Sequence, residues 1–281
     1  MPRIVEKRQL TPVTRLFRVE APLIAAAARP GQFVIVRVRE GGERIPLTIA
    51  DYDAKTGLIT IVVQEVGATT RRLSALEPGE SILDMVGPLG NPVELPAGGH
   101  VLGVGGGFGA AALLCLMREL TRRGDKTTVL LGARRKDLLI LADELGQVAK
   151  NLELCTDDGS AGFKGIVTAR LAQLIAGEGP GKPDHVVAIG PMVMMRAVAE
   201  ATRPAGIHTL VSMDPLMVDG TGMCGGCRVT VGPETKFACV DGPCFDGHRV
   251  DFTEAMRRNK TYVREHETAA ARLAGTAPGA A

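Results

Sequence analysis

The run Asp219-Gly220-Thr221-Gly222-Met223-Cys224-Gly225-Gly226-Cys227, followed by Cys239 with eleven residues between, puts four metal-binding side chains into one stretch of chain. The spacing is C-x4-C-x2-C with a distant fourth Cys, a pattern that holds a 2Fe-2S cluster, except that Asp219 stands in the first cysteine's place. A backbone bent around an inorganic core needs conformations and close approaches that a Cβ denies, and Gly220, Gly222, Gly225 and Gly226 supply them. The expected ligands are therefore Asp219, Cys224, Cys227 and Cys239. Two other arrangements use the same residues. Cys224, Cys227, Cys239 and Cys244 would make a four-thiolate zinc site, and Cys244 could replace Asp219 on the cluster.

With 281 residues and 45% hydrophobic content, the chain is long enough for two packed domains and an appendage. Its 33 basic and 31 acidic residues nearly cancel and form no block, so nothing points to nucleic acid or another polyanion as partner. Six cysteines, three of them in one ligand cluster, fit a reducing compartment better than a disulfide framework. No apolar leader or membrane-length run is present, so a cytoplasmic protein is expected.

Residues 1–97 carry short alternating runs broken by Gly and Pro: Thr14 to Val19, Gln32 to Val38, Pro46 to Ala50, Leu58 to Val63 and Ser81 to Val86. These predict a small antiparallel β-barrel. Residues 98–212 alternate strands with helices, starting from His100 to Val104 and Ala110 to Arg123, which predicts a doubly wound α/β domain with a parallel sheet. Thr209 to Met213 reads as its last strand. A cluster segment, 213–252, and a C-terminal helix with a loose Gly275 to Ala281 end, 253–281, complete the chain.

Between the first parallel strand and its helix lie Gly105, Gly106, Gly107, Phe108, Gly109 and Ala110, a G-x-G-x-x-A loop where backbone N–H groups and a helix dipole favour a pyrophosphate. Asp157, Asp158, Gly159 and Ser160 follow a later strand, and Gly190, Pro191 and Met192 follow another; both turns fit the mouth of a dinucleotide cleft. The methionines from Met192 to Met195 read equally well as a helix core face. Arg134 and Arg135 end the second strand where an acidic residue would read a ribose diol, which leans towards NADP(H). In the barrel, Arg44 can grip a pyrophosphate, Thr48 can bond a flavin ring, and Gly67, Thr69 and Thr70 offer donors to phosphate.

Arg-Ile-Pro-Leu-Thr in a barrel, Val-Gly-Gly-Gly-Phe-Gly, Gly-Pro-Met-Val-Met-Met and the Asp/Cys run together resemble the ferredoxin-NADP reductase superfamily over about residues 1–252. Within it, the chain is similar to the electron-transfer subunit of dihydroorotate dehydrogenase and to the small subunit of NADH-dependent reduced-ferredoxin:NADP oxidoreductase, whose first cluster ligand is aspartate. The resemblance implies FAD held by Arg44, Pro46, Leu47, Thr48, Val63, Gln64, Glu65, Thr69 and Thr70. One departure is that Arg44 lies four residues before Thr48, where the superfamily usually has three. It also implies NAD(H) against Gly105 to Ala110, Asp157 to Ser160 and Gly190 to Met192, electron passage through the 2Fe-2S cluster, and a larger flavin and iron-sulfur partner subunit that meets ferredoxin. Thr253 to Glu267 is a candidate docking helix for that partner. The rival expectations are a dihydroorotate dehydrogenase electron-transfer subunit and a zinc-stabilised nucleotide-binding module without turnover.

Overall fold

The computed structural model describes residues 1–273, so the expected loose end from Gly275 lies outside the described residues. Six antiparallel strands come first: β1 (Ile4–Thr11), β2 (Thr14–Glu20), β3 (Phe33–Arg37), β4 (Arg44–Asp53), β5 (Leu58–Gln64) and β6 (Asp84–Leu89), in the order β1-β2-β5-β4-β3-β6. The ends are joined. Ile4 N–H donates to Glu80 O and Ile82 N–H to Pro2 O, each at 2.9 Å, and Arg3 bridges Ser81, which closes the sheet into the expected barrel. Val34, Val36, Ile49, Ile59 and Ile61 fill it. β1 was not anticipated, because its middle, Arg8 and Gln9, is exposed and carries no apolar alternation. Helices α1 (Pro22–Ala27) and α2 (Ala68–Ala75) flank the barrel, and α2 starts where the sequence suggested a phosphate turn.

The second sheet takes β7 (His100–Gly106), β8 (Lys126–Ala133), β9 (Asn151–Thr156), β10 (Phe163–Lys164), β11 (His185–Ile189) and β12 (His208–Ser212) in the order β10-β9-β8-β7-β11-β12, all parallel. Helices α3 (Ala110–Arg123) and α4 (Ala142–Val148) lie in one apolar layer, and α5 (Val167–Ile175) and α6 (Met192–Thr202) in the other. This is the doubly wound arrangement expected, with its topological switch between β7 and β11. α3 ends on Gly124, whose φ of +100° lets Gly124 N–H and Asp125 N–H reach back to the last-turn carbonyls. The first half of α3 is buried all round because it is pressed between the sheet and the barrel. Leu16, Ala50 and Val62 of the barrel share its core, Cys115 Sγ donates to Ile49 O at 3.4 Å, and Arg118 pairs with Asp51.

β12 is not the last strand of that sheet. The chain leaves it for a hairpin of β13 (Arg228–Val231) and β14 (Glu234–Phe237), then returns as β15 (Cys244–Asp246), which pairs antiparallel with β12. The C-terminal region divides into two helices. α7 (Phe252–Arg258), capped by the Asp251 carboxylate on Glu254 N–H at 2.9 Å, buries Phe252 and Ala255 in the core shared with α6 and β13. It is therefore part of the fold rather than a free docking helix. α8 (Val263–Leu273) runs beside α2.

Asp125 is only 1% exposed, and its carboxylate accepts from Gly98 N–H at 2.8 Å and Arg123 Nε at 2.7 Å, tying the entry to β7 to the end of α3. Removing the carboxylate leaves Gly98 N–H without its acceptor, while Arg123 keeps its bonds to Leu95 O and Pro96 O, so Asp125→Ala is expected to cost about 2 kcal/mol. Urea unfolding checks this through a lower midpoint at unchanged slope; an unchanged midpoint would show that the tie contributes nothing.

Candidate functional site

Along β4 the side chains alternate, so Ile45, Leu47 and Ile49 face the barrel interior while Arg44, Pro46 and Thr48 share the outer face. Leu47 and Val63 are core residues, so each can offer a cofactor its backbone but not its side chain. Gln64 is exposed at the end of β5, and Glu65 is paired with Arg15 at 3.5 Å. The Arg44 guanidinium has no hydrogen-bond partner among the described residues. Gly67 opens α2, where Thr70 Oγ1 accepts from Gly67 N–H at 2.9 Å and Val66 N–H at 3.0 Å; Thr69 is buried and donates to Glu43 at 2.5 Å. The threonines named from sequence are thus the residues that build the first turn of α2.

A cleft of about 530 Å³ opens at the carboxyl ends of the parallel strands, with Thr11, Val13, Thr14 and Gln64 of the barrel as its far wall. Gly106, Gly107, Phe108, Arg134, Asp157 and Pro191 line it, as the sequence suggested. Two glycines explain the crevice. A Cβ on Gly109 would stand 1.9 Å from Ile189 O, and one on Gly190, at φ +154°, would stand 2.9 Å from Gly106 O, so only glycine lets the two loops meet at the switch point. Gly107, with φ +53°, has open space where its Cβ would be, leaving its backbone bare to the cleft.

Other expected residues support the cleft without lining it. Gly105 is buried in β7, and Gly109 and Ala110 lie beneath the floor. Asp158 accepts from Ser160 N–H at 2.9 Å and Oγ at 2.6 Å, Ser160 Oγ accepts from Lys136 N–H, and Gly159 turns the chain at φ +78°. The Ser160 hydroxyl and amide hold the Asp158 carboxyl below the usual range. The methionine run is split by helical phase: Met192 and Met195 are buried, whereas Met194 lines the cleft. Arg135 is tied to Asp137 at 2.7 Å, so of the two arginines only Arg134 faces the cleft. Sequence reasoning missed the apolar rim, Ile166 and Val193, each 59% exposed; a single exposed aliphatic residue at the start of a helix carries no periodic signal.

The Asp/Cys loop joins the two sheets. Cys227 and Cys239 are buried with their sulfurs 3.2 Å apart, Cys224 is exposed, and Asp219 is half-buried. Donors are already aimed at the expected ligand atoms. Asp219 accepts from Thr221 N–H at 3.0 Å and Cys224 N–H at 2.9 Å, which hold its carboxyl below the usual range, Thr221 contributing most. Gly226 N–H donates to Cys224 Sγ, and Gly222 N–H to Cys239. Burial first, and then the neighbouring Cys227 thiol, push Cys239 up to about 12. Among the described residues no three His, Cys, Asp or Glu side chains gather to hold a single metal ion. A two-iron core distributes its ligands over two metals, so a close thiol pair with two further donors along the loop fits it, while a zinc tetrad does not. Cys244 lies outside the loop, in β15 opposite Ser212, its sulfur accepting from that residue's hydroxyl and its thiol pushed up to about 11 by burial.

The described iron–sulfur cluster binding domain of dihydroorotate dehydrogenase B matches residues 214–251. Over nearly its whole length the chain is 46% identical, across 274 residues, to the dihydroorotate dehydrogenase B (NAD+) electron transfer subunit homolog of Thermotoga maritima, covering 98% of this chain and 96% of that protein. The chain belongs to this family of electron-transfer subunits and their homologues. It is also 32% identical over 256 residues to the dihydroorotate dehydrogenase B (NAD+) electron transfer subunit of Desulforamulus reducens, covering 88% and 96%. A solved chain described in work on flavin-based electron bifurcation by the NADH-dependent reduced ferredoxin-NADP oxidoreductase superposes with a TM-score of 0.91 at 44% identity, over 98% of each chain. The family member is an oxidoreductase electron-transfer subunit with a reductase-type barrel, a nucleotide-binding sheet and an iron–sulfur segment. The expected fold class and electron-transfer role therefore hold. No helix among the described residues is long and apolar enough to cross a membrane.

Thiol chemistry tests this geometry. In metal-free protein at mildly alkaline pH, iodoacetamide is expected to reach Cys224 first. Cys115, pushed up to about 12 by burial, and Cys155 and Cys244, each up to about 11, should stay unmodified until unfolding. Early labelling of Cys244 in peptide mass spectra would remove it from its seat in β15.

Proposed function

We propose that the chain accepts reducing equivalents from NAD(H) at the cleft, holds FAD on the barrel, and passes electrons through a 2Fe-2S cluster to a larger flavin and iron-sulfur partner subunit. The observation that carries this reading is the register of β3 on β4. Phe33 lies opposite Thr48 and Ile35 opposite Pro46, so they share one face of the barrel. Phe33 and Ile35 belong to the same apolar cluster as Cys227 and Cys239, while Gln64 on the far side lines the nucleotide cleft. Nucleotide cleft, flavin face and cluster loop are thus consecutive neighbours. When bound, FAD takes a hydride from the nicotinamide and the cluster carries single electrons onward.

In this reading Arg44, Thr48, Gln64, Glu65 and the α2 turn at Gly67, Thr69 and Thr70 orient the flavin, with Pro46, Leu47 and Val63 shaping its bed. Gly105 to Ala110, Arg134, Asp157 to Ser160 and Gly190 to Met192 form the nucleotide site. Asp219, Cys224, Cys227 and Cys239 hold the irons, with Asp219 as the harder oxygen donor. Cys224 and the neighbouring Met223, 88% exposed, would leave a cluster held by this loop open to the surface, as an exit to a partner requires. Ferredoxin:NADP oxidoreductase chemistry, with ferredoxin met through the partner, is favoured over dihydroorotate oxidation by Asp219, the residue that the resemblance gives to the ferredoxin:NADP branch, and the TM-score of 0.91 to the solved oxidoreductase chain supports that reading. Six cysteines, three of them in one proposed ligand set, support a cytoplasmic location in this reading.

Anaerobic protein is expected to contain flavin and two irons per chain, with absorption that bleaches on NADH and an EPR signal of a reduced 2Fe-2S centre. Zinc without flavin would overturn the reading, and tighter binding of NADPH than of NADH would overturn its NAD(H) part. Asp219→Ala should lower cluster content or change the EPR signal, whereas Cys244→Ser should leave both unchanged. An unaltered signal from Asp219→Ala would remove the carboxylate from the ligand set.

A further inference from the structure

Gly220, next to the proposed ligand Asp219, is buried and adopts φ +74°, a left-handed conformation that strains any residue with a side chain. It also lies flat on the barrel. A Cβ there would stand 2.6 Å from Ile35 Cγ1 and 3.0 Å from Leu89 Cδ1, both far inside van der Waals contact. Ile35 belongs to β3 and Leu89 to β6, strands that pair with each other. A second contact fixes the other end of the same segment: Asn91 N–H donates to Gly242 O at 2.6 Å, and a Cβ on Gly90 would meet that carbonyl at 2.9 Å. The cluster segment is thus seated on the barrel at two places, and at both a bare glycine backbone sets the separation.

Resting on the function proposed above, we infer that Gly220 is a positioning residue for electron transfer between flavin and cluster. Ile35, on which Gly220 sits, is directly opposite Pro46 on the flavin face of β4. Side chains so paired are only about 5 Å apart at Cβ. The thickness of the Gly220–Ile35 contact therefore sets how far the Asp219 end of the loop stands from the flavin face. Electron transfer weakens steeply with distance, whereas hydride transfer at the opposite edge, beside Gln64, is untouched by this contact. The same seat holds the loop in the conformation in which Thr221 and Cys224 N–H groups bond Asp219, before iron arrives.

The test compares wild type, Gly220→Ala and the double variant Gly220→Ala/Ile35→Ala, which clears the space a methyl group would need. In the metal-free proteins, amide hydrogen exchange at Thr221 and Cys224 is expected to speed up in Gly220→Ala and to slow again in the double variant. In the loaded proteins, stopped-flow mixing with NADH should show flavin bleaching at the wild-type rate and cluster bleaching slowed by about tenfold or more, as displacements of about 1 Å can do. The double variant should recover most of that loss. Wild-type cluster bleaching in Gly220→Ala would overturn the inference, as would failure of Ile35→Ala to restore either readout, since backbone strain alone would then explain the defect. If Gly220→Ala loads no cluster, Leu89→Phe thickens the seat from the barrel side with the loop sequence intact. It must slow cluster bleaching and speed exchange at the same two amides, and normal values for both would overturn the inference. Wild-type protein holding neither flavin nor iron would instead be a failure of the proposed function.

Discussion

The pairing of β15 with β12 governs where everything after the nucleotide sheet can go. Ser212 is in register with Cys244, and Met213 N–H donates to Pro243 O at 2.9 Å, so the chain leaves and re-enters the sheet at one point. All four Asp/Cys residues of the cluster motif lie in the loop so closed. Closing such a loop carries an entropic cost that grows only slowly with its length, and the paired strand ends together with buried Cys227, Val229 and Ala238 offset it. An open-ended segment would leave the motif free to wander. Closed at its base, it can only fold back onto the nearest apolar surface, the outer face of β3 and β6.

That surface explains why the barrel has two cores. Val34 and Val36 point into the barrel, while Phe33 and Ile35, one residue out of phase, join the core shared by α6, α7 and the cluster segment. β3 is buried on both faces, and so reads in sequence as a continuous apolar run. The barrel is gripped on its opposite side by α3 through Leu16, Ala50 and Val62. It is the central piece, and both electron-handling regions are fixed to it by side-chain packing rather than by linkers.

Much of this was legible before any coordinates. The buried parallel strands announced themselves as short apolar runs, whereas the glycine cluster at 105–109, read as a pyrophosphate loop, also brings two backbones together at Gly109 and Ile189 O, which the sequence did not indicate. What was hidden was hidden for physical reasons. β1 wears charge on its outward face, and β15 is three residues whose place depends on a partner strand distant in sequence. The Gly-Ala-Thr-Thr stretch has turn residues, yet the same chemistry that makes threonine a turn former makes Thr70 bond the amides at the start of α2. The methionines were ambiguous because composition is blind to phase; only the helix direction assigns Met194 to the cleft and Met195 to the core. The fourth cluster ligand had two candidates in the sequence, and of them Cys244 lies outside the Asp/Cys loop, in β15 opposite Ser212, whose hydroxyl donates to its sulfur.

The aspartate at the head of the motif has a consequence beyond supplying oxygen in place of sulfur. A carboxylate two residues before Thr221 accepts that residue's amide in an Asx-type turn, and its second oxygen takes the amide of Cys224. Thiol sulfur is a weak acceptor and could not draw in both amides as strongly. Asp219 therefore shapes the loop in the metal-free chain, fixing the backbone at Thr221 and Cys224 in the same loop that brings Cys227 and Cys239 together. The ordering entropy that a cysteine at this position would leave to metal binding is here partly met by folding itself. The same hydrogen bonds hold the carboxyl below the usual range and so would make it a weaker donor to an iron bound as proposed. Preorganisation and donor strength are thus opposed at this residue.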